Sequence, residues 1–275
     1  MALSGLAQLN IELTSKCDKR TLCAFCGHQK QEVNPITYGD MDYGLLESIR
    51  EQLKPGVVVA FHRDGEPTAY PRLVEALRLF APFTTSIVTH GCNLVRCAEA
   101  LVGHCTTLTI SAFKGDPDGD VQYETVKKFL EQKGNAAPRV QIKIVGDWFN
   151  SPYESLGVPI LRRLIHNPTG NSHYAHHLPT IPEVGICLDA LHRPSIDWEG
   201  RVYLCNRLDP DKDTQIGDLR CQTLDEIWNG PIRHEMMEAH KKGKREEANA
   251  LCATCTFWGV PSEWQPSKEL PMVNV

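Results

Sequence analysis

Residues 9–26 read LNIELTSKCDKRTLCAFC: a short strand-like run followed at once by three cysteines. Cys17, Cys23 and Cys26 have the spacing C-x5-C-x2-C. Thiolates are soft ligands that suit iron. Three of them on a cubane leave one iron without a protein ligand, and a cofactor or substrate can coordinate at that open position. A zinc site would need a fourth ligand, which His28 could supply.

Outward from this stretch, short runs rich in Val, Ile and Thr recur at residues 57–61, 85–89, 106–112 and 140–145, and with 9–14 they predict five strands. Helical patterns fall between and after them, at 43–53, 72–80, 96–102, 121–132 and 153–165. In the first, Leu45, Leu46, Ile49 and Leu53 share one face. Strand–helix alternation predicts an α/β fold with a parallel sheet covered by helices. Five or six units before residue 180 are too few for a closed eight-fold barrel, so a partial, open barrel is expected. Residues 167–185, rich in Pro, Gly and His, read as a linker or late barrel edge.

The second predicted strand ends in His62-Arg63-Asp64-Gly65-Glu66-Pro67-Thr68. A cysteine triplet after strand one, Phe25 before its third cysteine, and Gly-Glu-Pro after strand two resemble the radical S-adenosylmethionine (SAM) superfamily. The resemblance implies a partial (β/α)6 barrel over residues 1–180. It also implies a [4Fe–4S] cluster on Cys17, Cys23 and Cys26, with SAM chelating the unique iron. The Gly65-Glu66-Pro67 strand end would hydrogen-bond the methionine amino group. Ser111, on the fourth strand, would touch the ribose or methionine, and Val145 would flank the adenine. Two departures stand out. The family triplet is usually C-x3-C-x2-C, so the loop here is two residues longer. Arg63 sits where the family often has glycine, either near the methionine carboxylate or substrate, or in a salt bridge with Asp64 or another nearby acid.

After residue 180 the pattern changes. Residues 193–197 and 201–206 flank Trp198-Glu199-Gly200 like a β-hairpin. Thr223-Leu224-Asp225-Glu226 is a capping box that opens a helix, and Asn229-Gly230-Pro231 should break it and start another through about Lys242. Cys187, Cys205 and the pair Cys252, Cys255 supply four thiolates, a closed set that fits either structural zinc or an iron–sulfur cluster. Their order resembles the twitch extension, a shortened SPASM domain with one auxiliary [4Fe–4S] cluster. Residues 216–219 and 224–230 resemble it too. The resemblance implies a small α+β unit, hairpin plus helix, over residues 181–275. Among twitch-bearing enzymes the cysteine spacing is closest to the aminocyclitol alcohol dehydrogenase type. That implies SAM cleavage to a 5′-deoxyadenosyl radical and oxidation of a sugar-like or cyclitol alcohol. Modification of a peptide is the second expectation, and a non-catalytic electron-transfer or zinc protein the third. A low-potential electron donor, flavodoxin or ferredoxin in type, is the expected partner.

Composition narrows the setting. The chain has 275 residues, 41% hydrophobic, with a net charge of −5, so no general nucleic-acid surface is expected. No apolar run reaches the length of a membrane span and the N-terminus lacks signal-peptide character. Eleven cysteines, seven in ligand-like groups, then fit a reducing, cytoplasmic location. Asp209, Asp211 and Asp213 look like a calcium loop, but Thr214 stands at position six and Arg220 at position twelve, so a solvated loop is expected. His173, His176 and His177 lack a completing ligand.

Overall fold

The structure is a computed structural model that describes residues 3–19, 37–146, 148–163, 186–207, 209 and 211–255. Expectations on Cys23, Phe25, Cys26, His28, the linker, its three histidines and the tail beyond Cys255 lie outside the described residues.

Six parallel strands form the barrel sheet: β1 (Gln8–Ile11), β2 (Val58–Phe61), β3 (Thr84–Thr89), β4 (Thr107–Phe113), β5 (Arg139–Val145) and β6 (Ile160–Arg163). Helices α1 (Tyr43–Gln52), α2 (Leu73–Leu79), α3 (Ala98–Leu101) and α4 (Gly119–Lys133) connect the first five. The strands alternate strictly. Leu9, Ile11, Val59, Phe61, Ile87, Leu108, Ile110, Ile142 and Ile144 are buried on one face, in a core with Leu46, Ile49, Leu77, Phe80, Val126 and Phe129 of the helices. Each such side chain contributes roughly 1.5–3 kcal/mol on burial. Phe61 and Phe80 meet edge-on, 5.6 Å between ring centres. The opposite, concave face carries Asn10, Ser86, Thr109, Ser111, Gln141 and Lys143, which the register places opposite the apolar set. The sheet does not close.

The helix expected at 153–165 is not formed. A 3₁₀ turn covers Pro152–Leu156 and β6 follows. Gly157 at φ 70° ends the turn and Pro159 cannot continue it. Ile160 and Leu161 then pair with Ile142 and Lys143, satisfying the open edge of β5.

The C-terminal part joins the same sheet. β7 (Ser195–Ile196) pairs parallel with β1, and β8 (Arg201–Tyr203) and β9 (Gln215–Asp218) add antiparallel strands, giving the order β6-β5-β4-β3-β2-β1-β7-β8-β9. The capping box at Thr223 and Glu226 is formed and opens α6 (Leu224–Trp228). Gly230-Pro231 starts α7 (Pro231–Lys241). A Cβ at Gly217 would lie 2.5 Å from Ile227, so glycine there lets α6 close on β9. No helix among the described residues is long and apolar enough to cross a membrane.

Candidate cofactor and cluster sites

The two motifs of the N-terminal half meet through backbone. The Glu66 amide donates to the Lys16 carbonyl at 2.9 Å. A Cβ at Gly65 would lie 1.9 Å from the Thr14 carbonyl oxygen, so only glycine admits this approach. The Gly-Glu-Pro turn is thereby set against the segment that leads into Cys17.

Glu66 is buried and its carboxylate is fully engaged. Oε1 accepts from the Thr68 amide and hydroxyl and from the Thr89 hydroxyl, at 2.9, 2.6 and 2.7 Å. Oε2 accepts from the His90 amide at 2.9 Å. The Glu66 side chain thus ties the end of β2 to the end of β3. Pro67 is buried and opens a 3₁₀ turn, Pro67–Ala69. Cys17, Asp18 and His90 bring their ligand atoms within 4.8 Å of one another. His90 Nε2 and Asp18 Oδ1 are 2.6 Å apart. That bond, with His90's charge, holds the Asp18 carboxyl down at about 2 against the opposing effect of burial. Lys19, next in sequence, pairs in a buried contact with Asp116 after β4, so the cysteine segment is pinned to the barrel rim.

Ser111 and Lys143 are partners across β4 and β5, and Val145 pairs with Phe113 nearer the rim. All lie on the concave face at the C-terminal ends of the strands, where parallel α/β sheets place their ligands. Buried Gln122 braces this end, donating to the Ser111 carbonyl at 2.9 Å and accepting from Tyr153 at 2.6 Å.

Arg63 makes the salt bridge expected as one of its two readings. Its Nη1 is 3.2 Å from Asp64 Oδ2 and 3.6 Å from Glu12 Oε2, and its guanidinium stacks on Tyr203 at 4.3 Å. Glu12 also accepts from the Asp64 and Trp198 amides at 3.2 and 3.3 Å. Tyr203 donates to Asp197 at 2.9 Å, and Asp197 pairs with Arg201 at 3.3 Å. This charged knot welds β1 and β2 to the hairpin and was not anticipated. Its sequence signal is the polar Asn10 and Glu12 alternating with Leu9, Ile11 and Leu13.

The four C-terminal cysteines come together. Cys187 stands at the N-terminal boundary of α5 (Leu188–His192), and Cys205 follows β8 with its carbonyl held by the Ser195 hydroxyl at 2.7 Å. Cys252 lies in α8 (Ala250–Thr254), its amide capped by Asn249 at 2.8 Å, and Cys255 ends that helix. All four line one pocket, with Arg207 and Arg245 on its wall. Burial pushes the Cys252 thiol up to about 12 and raises Cys187 and Cys205 as well. Such thiols ionise only when a metal takes them.

Four thiolates on one pocket fit tetrahedral zinc or a cubane with one thiolate per iron, and Arg207, Arg245 and Asp189 share the pocket wall. Asp209, by contrast, accepts from the Asp213 and Thr214 amides at 3.0 and 2.8 Å and organises a loop.

Residues 187–256 match the SPASM family, an iron–sulfur cluster-binding domain. No curated protein sequence matches the chain. Among solved structures, BtrN in complex with AdoMet and 2-DOIA is similar at 17% identity and a TM-score of 0.66, covering 94% of this chain and 96% of BtrN. Streptococcus suis SuiB bound to precursor peptide SuiA is similar at 15% identity and a TM-score of 0.59, covering 92% of this chain and 71% of SuiB. AnSMEcpe with bound AdoMet is similar at 15% identity and a TM-score of 0.60, with coverages of 86% and 84%. The chain therefore has the partial-barrel fold of the radical SAM enzymes and carries, on the same sheet, an iron–sulfur domain of the SPASM family.

Proposed function

We propose that the chain is a radical SAM enzyme that oxidises a hydroxyl-bearing, sugar-like or cyclitol substrate in the barrel lumen. Cys17, Cys23 and Cys26 would hold the SAM-binding [4Fe–4S] cluster, and Cys187, Cys205, Cys252 and Cys255 the auxiliary one. When bound, the first cluster and SAM supply the radical chemistry, one-electron cleavage of the C5′–S bond and hydrogen-atom removal from a carbon. The chain's own residues hold and orient. The Gly65–Pro67 turn would offer backbone to the methionine amino group, Ser111 would touch the ribose or methionine, Val145 would flank the adenine, and Phe25, by its place before Cys26, would belong to the same cofactor site. Oxidation of an alcohol removes one hydrogen atom, one electron and one proton. The auxiliary site is where the electron would go.

The observation that carries this reading is the convergence of four cysteines, three of them buried, on one pocket beside strands that continue the sheet whose first strand leads towards Cys17. The likeness to BtrN, seen with AdoMet and 2-DOIA, supports a small-molecule substrate. The likeness to SuiB, seen with a precursor peptide, supports peptide modification as the second reading.

The test is a double variant, Cys252→Ala with Cys255→Ala, checked for folding by circular dichroism. With a polyol substrate, 5′-deoxyadenosine should still form while oxidised product disappears. Product at the wild-type ratio to 5′-deoxyadenosine would end the dehydrogenase reading.

A further inference from the structure

Two cations stand on neighbouring strands of the concave face, Lys143 half-buried and Arg163 exposed at the end of the sheet. Lys143 in β5 and Arg163 at the end of β6 lie on this face. The register pairs Lys143 with Leu161 and Val145 with Arg163, so the two cations sit one pleat apart on neighbouring strands. Arg162, between them in sequence, points the other way and is held by the Trp148 carbonyl at 2.8 Å and by Glu154. Other acids of the β1, β2 and hairpin region have cations of their own. Glu12 and Asp64 face Arg63, Asp197 faces Arg201, and Asp189 faces Arg193 and Arg207. Among the described residues Lys143 and Arg163 form no ion pair. Burial, reinforced by Arg163, brings the Lys143 ammonium down to about 8. His62, at the end of β2, is held down to about 3 by burial, Lys143 and Arg207, so it adds no charge of its own at neutral pH.

Two like charges this close repel, and an anion between them removes the penalty. Arg163 offers a planar donor fork that suits an oxyanion. We propose that an oxyanion carried by the substrate, a phosphate or a carboxylate, is held between Lys143 and Arg163. The proposal rests on the reading of the lumen as a radical enzyme's substrate pocket, and it narrows the substrate to an anionic polyol. The rival occupant is the methionine carboxylate of SAM. Arg163 stands on β6, at the far end of the barrel strands from β1, which leads towards Cys17, and the SAM-affinity arm of the test separates the two occupants.

The test uses the cluster-loaded protein saturated with SAM, titrated anaerobically with inorganic phosphate and, separately, acetate by calorimetry. Wild type should bind at least one, and the preferred anion tells phosphate from carboxylate. Arg163→Gln and Lys143→Met should each weaken that binding about tenfold or more, with iron content and circular dichroism confirming intact protein. No binding by wild type, or equal affinity in both variants, would overturn the proposal. So would a loss of SAM affinity in Arg163→Gln with anion binding intact. Release of 5′-deoxyadenosine is assayed apart. Anion binding without SAM cleavage would sink the proposed reaction and leave the anion site standing, and the converse holds.

Discussion

Glu12 should make the protein lose stability as pH rises through neutrality. Its side chain is 3% exposed and shares one buried region with Asp64 and Asp197 against the cations Arg63 and Arg201. With Glu199, which also pairs with Arg201, carboxylates outnumber guanidinium groups there. Burial raises the Glu12 carboxyl from 4.5 to about 7, with Arg63 opposing the shift and Asp64 and Asp197 adding to it. The folded state then keeps a proton that the unfolded chain releases above its ordinary pKa. The stability this contributes is complete below that pKa and is lost as pH climbs to about 7. Between about pH 5.5 and 7 the span is about 1.5 pKa units, or about 2 kcal/mol. Glu12→Gln cannot ionise. The amide imposes a constant offset, because one of the two backbone amides now meets an NH₂ group, but it removes the pH dependence. Anaerobic urea unfolding of the cluster-loaded protein at about pH 5.5 and about pH 8 measures both. The variant should gain about 2 kcal/mol relative to wild type between the two conditions. Histidines titrating in the same window cancel in the difference. A gap that stays constant within about 0.5 kcal/mol would refute the reasoning.

Three other contacts set measurable outcomes. Gly65→Ala, whose Cβ would overlap the Thr14 carbonyl at 1.9 Å, should push the Gly-Glu-Pro turn off the cysteine segment and abolish SAM binding in equilibrium dialysis, with far-UV circular dichroism little changed. Asp116→Asn strips the acid from a pair whose side chains are 4% and 1% exposed, leaving Lys19 with the more distant Asp118. It should cost about 3 kcal/mol in chemical denaturation. Asn249→Ala removes the cap on the Cys252 amide, costs about 1 kcal/mol and should speed loss of auxiliary-cluster iron to a chelator.

The barrel was legible because buried parallel strands are apolar runs in any context. The run at 57–61 became Val58–Phe61 and that at 140–145 became Arg139–Val145, each shifted by one residue. The segment 153–165 misled because Tyr153, Leu156 and Ile160 recur at helical spacing. Gly157 and Pro159 break that helix, and the vacant edge of β5 recruits Ile160–Arg163 as a strand. The cysteines could be read because thiolates bind by type and spacing. The knot of Glu12, Arg63, Asp197 and Tyr203 could not, since it exists only where β7 pairs with β1, joining residues 186 positions apart. Among the described residues, the juxtaposition of Lys143 and Arg163 is likewise a property of the assembled face, not of any local stretch.

The central claim is that this chain cleaves SAM by one-electron reduction at a cluster held by Cys17, Cys23 and Cys26. Chromatographic quantitation of 5′-deoxyadenosine from the anaerobically reconstituted protein, given SAM and dithionite, tests it most directly. The account predicts slow release by wild type even without substrate and none by Cys26→Ala. Wild-type protein with intact clusters that binds SAM yet releases no 5′-deoxyadenosine under any low-potential reductant would contradict it.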